Sequence, residues 1–185
     1  MDLKKIAIVG LAPSSHDEAP LTDSSWEKFG LPWDTAWVHM DRFFEMHDLR
    51  LIESDHCALP KGYIDKIKEI AKYAPLYMQE EYFEGAEKFP FYCTDRQYYN
   101  SSIAYAMALA ISEKPDVIGL WGVDMADHNE EFFYQRPNME YLIGLAEGRG
   151  IDVYIPEQSP LCKFSPKGIN YYNHYPEYKG RYGKI

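Results

Sequence analysis

Basic residues are scarce in this chain: 19 Lys and Arg stand against 29 Asp and Glu, a formal net charge of −10. A surface that grips nucleic acid draws its affinity from neutralised phosphates, so this balance argues against extended nucleic-acid binding. Cysteine is sparse too. Cys57, Cys93 and Cys162 are odd in number, widely spaced and form no CxxC pair. That excludes a disulfide framework and predicts reduced thiols packed in or near the core. No apolar run approaches the length of a membrane span, and the first residues carry no long apolar secretory segment. The expectation is a soluble cytoplasmic protein with no membrane partner. Several catalytic signatures are missing as well: GxGxxG, the P-loop Lys pattern, the GxSxG elbow and HExxH.

What is present suits one domain over residues 1–185, 46% of it hydrophobic, with an irregular Tyr- and Gly-rich tail over 163–185. Aromatics reach 16%, with 16 Tyr, more than a core needs; Tyr suits pockets because it joins an apolar ring to a polar tip. The opening KKIAIV reads as a buried strand that delivers Gly10-Leu-Ala-Pro13-Ser14-Ser15 to its carboxyl end. Trp26 to Trp33 reads as a short helix and turn. A further helix leads into a strand over Arg42–His47. Tyr63 to Ala74 is an amphipathic helix stopped by Pro75, and LYMQ is a short strand ending at Gln79. Residues 80–99 read as irregular and aromatic. Asn100 or Ser101 caps the next helix, IAYAMALAIS. VIGLWG, apolar throughout, is a central parallel strand. A third helix is expected to start at Pro137, and IDVYIP makes another strand. This alternation predicts a single-domain, Rossmann-like α/β fold, a mostly parallel sheet with helices on both faces. In such sheets ligands bind beyond the carboxyl ends of the strands.

The candidate site residues fall at those ends. Gly10 permits close backbone approach, and Ser14 and Ser15 can donate to phosphate or carboxylate oxygens. Asp124, just past Gly122, could bind ribose hydroxyls, hold a cation or act as a base; capping a turn is the alternative. Asp127, His128, Glu130 and Glu131 match no defined metal motif, so no metal site is assigned. One or two carboxylates would still suffice for a weakly held magnesium ion. In the expected strand, Arg42, Phe44 and Met46 share one face and Phe43, Glu45 and His47 the other. His47 is the candidate general acid/base because it titrates near neutrality. Glu45 is expected to pair with Arg42 or Arg136. Ser101 and Ser102 at a helix start form an anion site. Arg136 could grip a phosphate or carboxylate bidentately. Gln79 could read a base or sugar edge, and Tyr134 could touch phosphate or stack on a base.

These segments together resemble a family of small bacteriophage proteins. The resemblance lies in VGLAPSS, RFFEMHD, LYMQE, NSSIAYAMALAI, IGLWGVDMA, QRPNMEYLIG and GIDVYIPEQSPL, and spans most of residues 4–161. It implies a phage-encoded protein of the host cytoplasm. More distantly, the layout is similar to bacterial sialyltransferases and to 6-hydroxymethylpterin pyrophosphokinase-like proteins. Gly10, Pro13, Ser14, Ser102, Gly122 and Asp124 are the positions that carry over, and Leu11 stands where the sialyltransferase loop has Asn. The residues and these resemblances imply a nucleotide- or nucleotide-sugar-binding enzyme, a glycosyl-type transferase. Two alternatives stand beside it: a non-catalytic protein that sequesters a nucleotide signal of the host, and a virion assembly protein. The cofactor is not specified by the sequence, and a homo-oligomer stays open.

Overall fold

A strand buried on both faces must alternate its side chains between two cores, and KIAIV does so. In the computed structural model, which describes residues 3–34, 39–54, 59, 61–125 and 130–162, β1 spans Lys5–Val9. Ile6 and Ile8 enter one apolar cluster and Ala7 and Val9 the other. Around it lie β2 (Trp26–Gly30), β3 (Arg42–Phe44), β4 (Leu76–Met78), β5 (Ala86–Lys88), β6 (Val117–Trp121) and β7 (Asp152–Tyr154). Among the described residues these make one seven-stranded sheet in the order β5-β4-β3-β2-β1-β6-β7. Every pairing is parallel. The fold is thus the expected α/β, Rossmann-like one.

Helices cover both faces. The short α1 is Leu49–Ile52, α2 is Tyr63–Ile70, α3 is Ser102–Ser112 and α4 is Glu130–Gly148. Helices α3 and α4 pack with Ile6, Phe29, Phe44 and Leu120, while α2 packs with Val9, Phe43 and Leu76 on the reverse face. The chain steps outward from β1 to β5, then returns through α3 to place β6 on the other side of β1. That reversal makes the carboxyl ends of β1 and β6 the switch point, where an open sheet leaves a crevice.

Several elements differ from expectation. Trp26–Gly30 is a strand, not a helix. Its charged residues sit in a sheet because partners on neighbouring segments satisfy them: Glu27 pairs with Arg42 at 2.7 Å and the buried Lys28 with Asp41 at 3.3 Å. Strand β3 stops at Phe44 rather than His47, and α2 at Ile70 rather than Ala74. Helix α4 begins at Glu130, with Pro137 inside it. Pro137 removes one backbone donor, and burial of Met139, Leu142, Ile143 and Ala146 offsets the loss. Cys93 is half-buried, whereas Cys162 is exposed, against the expectation of packing. Cys57, the Asp127–His128 pair and the tail 163–185 lie outside the described residues. The side chains of Glu130 and Glu131 do so too.

Candidate functional site

Two glycines build the crevice. Gly10 follows β1 and Gly122 follows β6, and their backbones cross in contact. Gly10 N–H donates to the Trp121 carbonyl at 2.8 Å, and Ala12 N–H donates to the Gly122 carbonyl at 2.8 Å. A Cβ on Gly10 would drive into the Gly122 carbonyl oxygen, and a Cβ on Gly122 into the Gly10 carbonyl oxygen. Gly122 also has φ +64°, a left-handed conformation that glycine adopts without penalty. Ser15, 1% exposed, locks the crossing from beneath, its Oγ accepting the Gly122 N–H at 2.9 Å.

Above the crossing lies a cavity of ≈ 820 Å³. Gly10, Leu11, Ala12 and Pro13 form one wall, and Gly122, Val123, Asp124 and Met125 another. Met125 is held at φ 46°, a strained position for a residue with a side chain. Asn100, Ser101, Ser102 and Ile103 at the start of α3 close the third side, with His47 beside them. Tyr99 and Tyr105, ring centroids 4.9 Å apart, add an aromatic surface. Burial pushes the Tyr99 hydroxyl up to about 12, so it remains a neutral hydrogen-bonding group.

Each polar group on the rim has a defined posture. Ser14 donates its hydroxyl to Asp124 Oδ1 at 2.7 Å, which fixes the carboxylate. Asp124 is the cavity's one Asp or Glu among the described residues. It could share a weakly held magnesium ion with a ligand's oxygens. No group of three or more candidate metal ligands occurs among the described residues. Ser101 caps α3 by accepting the Ala104 N–H at 3.2 Å, and Ser102 Oγ accepts the Met46 N–H at 3.4 Å. Both hydroxyls act there as acceptors, so both keep an O–H to donate. His47 lies just beyond β3, its side chain 45% exposed, with Nδ1 2.5 Å from Glu45 Oε1.

The cavity thus gathers Gly10, Pro13, His47, Ser101, Ser102, Gly122 and Asp124 from distant parts of the chain. Five other candidates do not line it. Ser14 acts on Asp124, and Ser15 is committed to Gly122. Gln79 donates to the Met46 carbonyl at 2.6 Å, tying the ends of β3 and β4 together. Arg136 bonds Glu140 at 2.8 Å and the Pro160 carbonyl at 2.7 Å, so it fastens the segment after β7 to α4. Tyr134 is exposed, and its carbonyl accepts from Asn100. The expected partners of Glu45 are engaged elsewhere, Arg42 with Glu27 and Glu113, Arg136 with Glu140. Sequence reasoning missed Tyr99 and Tyr105. The aromatic richness of residues 80–99 was the one signal for Tyr99, Tyr105 read as part of a packed helix, and nothing local aims either ring at a cavity.

No family model matches the chain, and no curated protein does. Two solved structures align with the chain. Thiamine pyrophosphokinase from Bacillus subtilis aligns over 83% of this chain and 60% of its own, at 16% identity and a TM-score of 0.44. This chain thus spans about three fifths of that protein. The sialyltransferase CstII from Campylobacter jejuni was solved with the substrate analogue CMP-3FNeuAc. It aligns over 85% of this chain and 81% of that one, at 15% identity and a TM-score of 0.51. At such identity the likeness to CstII is one of fold.

Proposed function

We propose that this chain binds a nucleotide or nucleotide-sugar in the cavity and transfers a glycosyl-type group from it. The observation that carries the reading is the meeting, at the sheet's switch point, of the Gly10–Gly122 crossing, the start of α3 and His47 around one cavity. Its ≈ 820 Å³ lies within the ~300–1,000 Å³ of small-molecule sites. The fold shared with CstII, whose structure holds CMP-3FNeuAc, supports the same ligand class. In this reading a base lies against Tyr99 and Tyr105. The phosphate takes hydrogen bonds from the Ser101 and Ser102 hydroxyls and the first N–H groups of α3, where the helix dipole favours an anion. Asp124, steadied by Ser14, binds sugar hydroxyls. His47 Nε2 accepts the proton of the acceptor hydroxyl as its oxygen attacks. The motifs shared with phage proteins favour a phage-encoded enzyme working in the host cytoplasm.

The full chain, purified and denatured, should release a nucleotide or nucleotide-sugar identifiable by mass spectrometry. The reading fails if no nucleotide is released and no nucleoside monophosphate or sugar ester of one binds the purified chain. Transfer that persists in both His47→Ala and Asp124→Ala would remove the roles given to those side chains. A ligand returned unchanged after long incubation with acceptors would favour sequestration over transfer.

A further inference from the structure

A carboxylate buried to 2% exposure is costly unless its oxygens are bonded and its charge is matched. Glu45 meets that cost in an unexpected way. Arg42 and Arg136 pair elsewhere, and among the described residues no Lys or Arg pairs with Glu45. Instead Oε1 takes both the backbone N–H of His47 at 3.0 Å and the imidazole Nδ1. Oε2 accepts the hydroxyl of Tyr63, a residue 3% exposed at the start of α2. The Tyr63 ring is itself held by Trp33, centroids 5.0 Å apart. The row Trp33–Tyr63–Glu45–His47 therefore runs from the reverse face of the sheet to the cavity wall.

We infer that Glu45 and Tyr63 are positioning residues that hold His47 in one tautomer for proton abstraction from a hydroxyl acceptor. With Nδ1–H donated to the carboxylate, the lone pair lies on Nε2, and the chemistry of the ring falls to that nitrogen. When the acceptor oxygen forms its bond to the transferred carbon, the carbon–oxygen bond to phosphate breaks and its electron pair leaves with the phosphate. The acceptor proton moves to Nε2. Nδ1–H stays on the imidazolium, and Glu45 stays ionised and stabilises it. Tyr63 keeps the carboxylate from turning away. A histidine with a merely structural role would be served by any neutral acceptor. A buried carboxylate with both oxygens anchored is the arrangement that also stabilises the imidazolium. This inference rests on the transferase reading, yet its first readout needs no ligand.

The test uses the full chain with ¹⁵N-labelled histidine. Long-range ¹H–¹⁵N spectra should find His47 as the Nδ1–H tautomer, with a downfield Nδ1–H proton. Glu45→Gln should lose that downfield signal and slow carbethoxylation of His47 by diethyl pyrocarbonate severalfold, read by peptide mass spectrometry. Tyr63→Phe, which keeps the ring and its Trp33 contact, should leave a mixture of tautomers. In a transfer assay Glu45→Gln should lower kcat about a hundredfold with KM unchanged. An Nε2–H tautomer in the wild type, or a tautomer and reactivity unchanged in both variants, overturns the inference. If the tautomer is as expected but no nucleotide binds, the ligand class fails and the positioning row stands.

Discussion

Gly122 and Gly10 touch backbone to backbone, and two walls of the cavity take their place from that contact. Gly122→Ala adds a Cβ that meets the Gly10 carbonyl and places an alanine at φ +64°. The left-handed conformation alone costs about 1–2 kcal/mol. With the clash added, we expect a loss of about 3 kcal/mol or more in urea unfolding, at the upper end for single substitutions. Ser15→Ala removes the acceptor of the buried Gly122 N–H. An unsatisfied buried donor costs about 1–3 kcal/mol, so this variant should lower the unfolding midpoint measurably. Both glycines and both serines were legible in the sequence as a loop and a strand end. That the two backbones touch was not, because only the β1–β6 pairing brings residue 10 against residue 122. For the same reason Ser14 and Ser15 read as ligand contacts, whereas their hydroxyls serve Asp124 and Gly122.

Helix α3 does two jobs. Its body buries eight residues from Ile103 to Ile111, and its first turn faces the cavity. Ser101→Ala removes the cap on Ala104 N–H and should cost about 1 kcal/mol in thermal unfolding. Ligand affinity should fall in the same variant, because the hydroxyl lost is also a rim donor. Elements whose pattern is local were readable: α3 by its small apolar residues and cap, β6 by its unbroken apolar run. Strand β2 was not, because Glu27 and Lys28 find their partners only across the sheet, at Arg42 and Asp41. Arg136 shows the same limit. Its position before an expected helix start suggested a ligand clamp, but α4 begins earlier and turns the guanidinium toward Glu140 and Pro160.

At the scale of the molecule, acidic charge dominates, and two partly buried ionic clusters set the pH response. Burial lowers the His16 pKa, but hydrogen bonds to Asp17 and Asp34 outweigh it and hold it above the ordinary 6.5. The stability from this raised pKa is complete below pH 6.5 and is lost as pH rises through the folded-state value. Burial pushes Glu113 up, but Lys4 and Arg42 outweigh it and hold it below the ordinary 4.5. Its contribution is present above pH 4.5 and is lost as pH falls through the folded-state value. The melting temperature should therefore be highest between pH 4.5 and 6.5. His16→Gln should flatten the decline above that window, and parallel decline in variant and wild type would contradict this.

The same acidity bears on the ligand. No Lys or Arg lines the cavity among the described residues, so an anion there relies on hydroxyls and backbone N–H groups. The most direct measurement is an NMR titration of the full chain with cytidine, uridine, adenosine and guanosine monophosphates. Saturable binding of one nucleotide per chain, with shifts concentrated at Gly10, His47, Ser102 and Gly122, is the predicted result. No saturable binding of any of the four, or shifts concentrated away from the Gly10–Gly122 crossing, would contradict the account.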